Sequence, residues 1–227
     1  MEKHFDQELD ALKNEILKMG ALVEDAIFES VEALKQLSED KAREVIAHDK
    51  IVDHLENSID EMCVDLLALY QPMAVDLRFI TMALEITTDL ERMADLGVDV
   101  AQRVLELAGK PLLKPLVDIP NLTLIAKEMT KEALDSFVNK DANLARQVIL
   151  LDNEADRLRN LVQKELLEDY MMKDPSTTPR ALPLLLVARH LERICDHATN
   201  IAEDVIYMVE AKVVKHHPEL LEKDNQQ

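Results

Sequence analysis

Glu91, Asp95 and Asp99 follow one another at intervals of four residues. On a helix each such step turns only about 40°, so the three carboxylates are expected to form one acidic strip. A second set, Asp49, Asp53, Glu56 and Asp60, falls within about 60° of arc on another helical segment, roughly 110° from an apolar stripe centred on Leu55 and Ile59. That offset places the carboxylates beside a groove and outside a core. If the two segments pack as antiparallel neighbours, their acidic strips meet, and the mutual repulsion costs energy unless a cation neutralises it. A hard, oxygen-ligated metal is the natural candidate.

A charged strip on a helix is most simply a solvated face. Two features favour metal ligation over that reading. No basic residue takes an i+4 place within the 91/95/99 strip, and the pattern reappears late in the chain as Glu192, Asp196 and Asn200, with Asp152 and Asp156 standing where Asp49 and Asp53 stand earlier. The two copies differ in charge. Arg159 replaces Glu56, Gln163 replaces Asp60 and Asn200 replaces Asp99. Residues 1–108 hold 10 basic and 25 acidic side chains, net −15, against 16 and 20, net −4, in the remainder. The first set is therefore expected to bind more cations, or to bind them more tightly.

Other chemistry has weaker support. His190, Cys195 and His197 lie close in sequence, but their spacing does not converge as a zinc site, and they read as surface or core residues. Arg92 and Arg193 are expected to make ion pairs between helices, while Arg78 and Arg180 leave anion binding open. Met62, Met82 and Met93 read as core filler, and the Met171-Met172 pair as a possible contact patch. None of the seven histidines has a Glu three residues before it, which removes the signature of ferritin-like di-iron bundles. Walker A, dinucleotide-fingerprint, zincin and nucleophile-elbow motifs are absent, and three glycines leave little material for a phosphate-cradling loop, so no enzymatic activity is expected.

Long helices must position these side chains. With 48% apolar residues, 3% aromatics and no Trp, the 227-residue chain has the composition of an all-α protein with a real core. A three-four apolar spacing runs through residues 5–37; a second stripe follows Ser38, a plausible N-cap, and stops at Gln71-Pro72; a third helix spans about 74–108. Gly109 reads as a C-cap, and Pro111, Pro115 and Pro120 mark a linker. Three more helices are expected at about 121–139, 141–172 and from beyond Pro179 to Val214, with Pro183 either delaying or bending the last; the tail from His216 to Gln227 reads as frayed.

The two triplets of helices are copies. Residues 89–104 align with 190–205 at an offset of 101, and residues 40–49 with 143–152 at an offset of 103. The expected architecture is two tandem, similar three-helix bundles: 1–109, a linker over 110–119, 120–215 and a tail over 216–227. A net charge of −19 makes nucleic acid and anionic bilayers poor partners. The longest clean apolar run, 181–188, is far too short to span a bilayer, and Cys63 and Cys195 read as reduced thiols, so a cytoplasmic location without membrane insertion is expected. Exposed apolar helix faces suggest a homodimer.

Gln71-Pro-Met-Ala-Val-Asp76-Leu-Arg78, then Asp89-Leu-Glu-Arg-Met-Ala-Asp95, its second copy His190-Leu-Glu-Arg-Ile-Cys-Asp196, and Met19-Gly20-Ala-Leu-Val-Glu24 together resemble the PhoU family of bacterial phosphate-uptake regulators. The resemblance covers nearly the whole chain. It implies two similar three-helix bundles and a cytoplasmic negative regulator of phosphate homeostasis, which contacts the ATPase of the phosphate ABC transporter and the phosphate sensor histidine kinase. It also implies iron or another divalent metal (Fe, Mn, Mg or Zn) held by acid-x-x-x-acid motifs. These fall on Asp49/Asp53 and Glu91/Asp95 in the first unit and on Asp152/Asp156 and Glu192/Asp196 in the second. Competing readings are a carboxylate-rich metal-storage bundle and a helical co-chaperone-like adaptor.

Overall fold

A computed structural model describes residues 2–214. The segment 216–227, expected to fray, lies outside the described residues. Six long helices account for most of the chain: α1 (Glu2–Gln36), α2 (Glu39–Tyr70), α3 (Ala74–Leu107), α4 (Asp118–Asn139), α5 (Ala142–Glu165) and α6 (Thr178–Glu210). Their ends follow local chemistry. Ser38 caps α2 by accepting the Lys41 N–H, and Asp141 caps α5 by accepting those of Asn143 and Leu144. Left-handed residues close α1, α2, α4 and α6 at Leu37, Gln71, Lys140 and Ala211.

The boundaries of four helices differ from the sequence expectation. Helix α4 begins three residues earlier, with Pro120 as its third residue, because the first turn leaves backbone donors without helical acceptors and a missing N–H costs nothing there. The α-helical part of α5 ends at Glu165 and continues as a π-helical turn, Leu166–Met171, instead of running as α-helix to Met172. Helix α6 begins at Thr178 and carries Pro183 inside it, then ends at Glu210, four residues before Val214. Gly109 takes φ +72 one residue beyond the α3 C-cap, Ala108.

Helices α1, α2 and α3 pack on one another, as do α4, α5 and α6. The most extensive helix contact, however, joins the two units: α3 lies against α6, and α1 also meets α4. Four helices thus form a central layer, with α2 and α5 on its flanks. The buried apolar residues of both units merge into one cluster. At its seam Phe79 of α3 stacks on Phe137 of α4, ring centroids 4.6 Å apart and planes 11° from parallel. Gly20 lets α1 approach α4: a Cβ there would lie 2.1 Å from Leu134 Cδ1. Helices α3 and α6 run antiparallel, since Arg78 Nε donates to Met208 O at 2.9 Å while Asp89 meets His197 and Asp99 meets His190 further along. Among the described residues no helix is long and apolar enough to cross a membrane.

Candidate functional site

The groove between α2 and α3 collects the first unit's carboxylates. Asp49, Asp53, Glu56 and Asp60 line it from α2, Glu91 and Asp95 from α3. All but Asp95 are partly buried, because the apolar stripes beside them pull the helices together. Their acidities report a shared field. Partial burial raises the Asp49 carboxyl above its usual range, and the charges of Asp53 and, across the groove, Asp95 raise it further. Glu91 is pushed up by burial, then by Asp95 and Glu56, and Glu56 by burial, then by Asp60 and Asp53. The nearest compensating cation is solvent-exposed: Arg92, 60% exposed, pairs with Glu91 at 3.6 Å. Among the described residues no Lys or Arg lies within 4.0 Å of Asp49, Asp53, Glu56, Asp60 or Asp95.

Asp99 does not belong to this group, contrary to the single-strip expectation. Its carboxylate faces α6, 3.7 Å from His190 Nδ1. Two steps of about 40° carry the strip out of the α2 groove and onto the neighbouring helix.

The α5/α6 groove repeats the arrangement with one decisive change. Asp152 and Asp156 of α5 face Glu192 and Asp196 of α6, and burial, then Asp196, Asp156 and Glu192, push the Asp152 carboxyl up to about 6. Here Arg159 supplies the counter-charge, with Nη2 2.9 Å from Glu192 Oε1 and 3.1 Å from Asp156 Oδ1. A guanidinium thus stands where the first unit has Glu56.

Whether these residues suit a metal divides along the same line. The first-unit donors are all carboxylate oxygens, share a field that exposed Arg92 offsets only in part, and match a hard cation chemically. In the second unit the Arg159 guanidinium occupies the carboxylates, and a cation there would meet a fixed positive charge. Among the described residues, no group of three or more His, Cys, Asp or Glu side chains is close enough as it stands to hold an ion. The carboxylates share a field but not a single point.

Some relationships escaped the sequence reading. His197 Nδ1 lies 2.7 Å from Asp89 Oδ1, and Asn200 Nδ2 donates to the same oxygen at 3.4 Å. His197 and Asn200 therefore join the two units at Asp89. No local spacing signals contacts between residues more than a hundred positions apart. Arg193 makes no interhelical ion pair among the described residues, contrary to expectation, and Arg92 pairs only with its neighbour Glu91. Arg78, left open for an anion, holds the Met208 carbonyl. Cys63 and Cys195 are free and buried, and burial, aided by nearby carboxylates, pushes their thiols up, Cys63 to about 12.

Residues 16–104 and 119–205 each match the PhoU domain. The chain belongs to the PhoU family. A PhoU homolog of Aquifex aeolicus, named a phosphate-specific transport system accessory protein, is 43% identical over 92% of this chain and 95% of its own length. A second such homolog, from Thermotoga maritima, is 37% identical over 97% of this chain and 94% of its own. The crystal structure of PhoU from Pseudomonas aeruginosa superposes with a TM-score of 0.87 at 38% identity, covering 92% of this chain and 100% of that one. The expected PhoU fold, all-α with two repeated three-helix units, is therefore established. The structure adds to it the shared core between the two PhoU domains.

Proposed function

We propose that the protein is a regulatory accessory of phosphate transport. In this reading it acts in the cytoplasm, restrains uptake and phosphate-starvation signalling when phosphate is plentiful, and works by docking on the ATPase of the phosphate ABC transporter and on the phosphate sensor histidine kinase. The observation that carries this reading is the end-to-end similarity, through both repeats, to proteins named as phosphate-specific transport accessories. The fold suits a docking role. One continuous core ties the six helices together, and the α2–α3 corner presents Leu69, Met73, Val75 and Leu77 to solvent, with Met73 80% exposed.

Metal binding enters the reading through the first unit. Asp49, Asp53, Glu56, Glu91 and Asp95 would hold an iron or other divalent ion, whose charge would relieve their repulsion and cross-link α2 to α3. Asp99 stands apart from them, and in the second unit Asp156 and Glu192 are already paired with Arg159. The same apolar corner would support a homodimer.

Pulldown of the transporter ATPase and of the sensor kinase with this chain, in high and in low phosphate, tests the reading. Retention that depends on phosphate supports it; no retention of either partner in both conditions sinks it.

A further inference from the structure

The two pseudo-equivalent grooves differ most at one stretch. Beside the Arg159–Glu192 bridge, α5 and α6 enclose a cleft of about 590 Å³ lined by Arg159, Gln163, Arg189, Glu192, Arg193 and Asp196, with Leu185 as an apolar wall. Applying the repeat offsets of 103 and 101, the corresponding first-unit positions hold four carboxylates and one arginine, whereas this cleft holds three arginines and two carboxylates. Three replacements account for the whole swing: Arg159 for Glu56, Gln163 for Asp60 and Arg189 for Thr88. The seven lining positions carry one net positive charge in this cleft and three net negative charges in their first-unit counterparts, in a chain whose total charge is −19.

Within the cleft, Arg159 is engaged by Glu192 and Asp156. Arg189 and Arg193 are different. Among the described residues neither makes an ion pair or a side-chain hydrogen bond. They stand one helical turn apart on α6, so their Cβ atoms are about 6 Å from each other and both planar forks can reach one tetrahedral oxyanion. The volume exceeds that of a bare oxyanion and falls within the roughly 300–1,000 Å³ range of small-molecule sites. Gln163 adds a neutral donor and acceptor, and Leu185 a surface for an organic group.

We propose that the α5/α6 cleft is an anion site that takes a phosphate group, free or esterified to a small molecule, through Arg189 and Arg193. Phosphate suits it better than carboxylate, because three terminal oxygens and close to two negative charges can be shared between two guanidiniums. This inference does not rest on the docking reading above. It concerns the isolated chain, and a failed ATPase pulldown would leave it standing.

Isothermal titration calorimetry on the full chain at low ionic strength tests it with three probes: inorganic phosphate, AMP and acetate. The expected result is saturable binding of phosphate or AMP at one site per chain, with acetate at least tenfold weaker. The Arg189→Gln, Arg193→Gln double variant should bind at least tenfold more weakly, about 1.4 kcal/mol. Both side chains are exposed, so the variant should keep its helical circular dichroism and unfolding midpoint. Arg43→Gln, an exposed change on α2, should bind as the parent does. AMP tenfold tighter than inorganic phosphate identifies an esterified ligand; equal affinities identify free phosphate. The proposal is overturned if neither anion saturates by about 10 mM, a Kd weaker than any specific site warrants. It is also overturned if the double variant binds undiminished or acetate binds equally well.

Discussion

His197 Nδ1 lies 2.7 Å from Asp89 Oδ1 across the α3/α6 contact, joining residues of different repeats that are 108 positions apart. A carboxylate only accepts, so the imidazole N–H donates, and both side chains are mostly buried, at 18% and 16% exposure. His190 and Asp99 form a looser companion at 3.7 Å, with the Asp99 side chain 43% exposed.

Removing either member of the tighter pair should therefore cost about 1–2 kcal/mol, the worth of a charge-assisted hydrogen bond plus an orphaned partner. In a double-mutant cycle of His197→Ala and Asp89→Ala, urea unfolding should give a coupling energy near 1 kcal/mol. Additive effects would mean that the pair does not hold the units together. The same cycle on His190 and Asp99 should yield only a few tenths of a kcal/mol.

Asp152 predicts a pH dependence whose sign is definite. Its folded carboxyl is held at about 6, against an ordinary value of 3.8, so between these values the folded state binds more protons than the unfolded one. Stability should accordingly rise as pH falls from 7 towards 4, and the repulsion should act in full only above pH 6. After discounting for solvent screening, Asp152→Asn should stabilise the protein by about 1 kcal/mol at pH 7.5 and leave stability at pH 4 nearly unchanged. Unfolding midpoints across pH 4–8 check this; a uniform shift at all pH values would contradict it.

Metal content should follow the asymmetry set by Arg159. Elemental analysis of protein purified without chelator or affinity tag should show Asp95→Ala losing more bound metal than Asp196→Ala. Equal losses would mean that the two grooves bind alike despite the guanidinium. Arg159→Gln should raise the capacity of the second groove, because it frees Glu192 and Asp156.

Gly20→Ala sets two effects against each other. Alanine favours helix over glycine by about 1 kcal/mol, but the new Cβ would lie 2.1 Å from Leu134 Cδ1, and Leu134 is almost wholly buried. Overpacking a core contact costs about 1–3 kcal/mol, so thermal unfolding should show a net loss. A gain would mean that the α1/α4 contact yields more readily than its burial implies.

Most of the secondary structure was legible because helical periodicity and capping are local. The apolar stripes, the Ser38 cap and the Gln71-Pro72 stop all act within a turn or two of themselves. The repeat was legible for the same reason, and with it the facing carboxylates of α2 and α3. Pro120 misled, because a missing donor matters only where an acceptor awaits it, whereas Pro183, open between a late start and a bend, lies inside α6.

Asp99, Arg159 and Arg193 mark where local reading ends. The spacing of Asp99 resembles that of Glu91 and Asp95, yet a rotation of about 80° over eight residues gives it a different neighbour, and which helix stands there is a matter of tertiary packing. Arg159 was visible as a replacement, but its bridge to Glu192 depends on how α5 and α6 approach. The amino-acid order set the helices, their duplication and the charge each face carries, all of which follow from neighbours within a few residues. The docking of α3 on α6, the fusion of two cores into one and the freedom of Arg189 and Arg193 arise from contacts between distant segments, where packing and solvent access are settled by the whole chain at once.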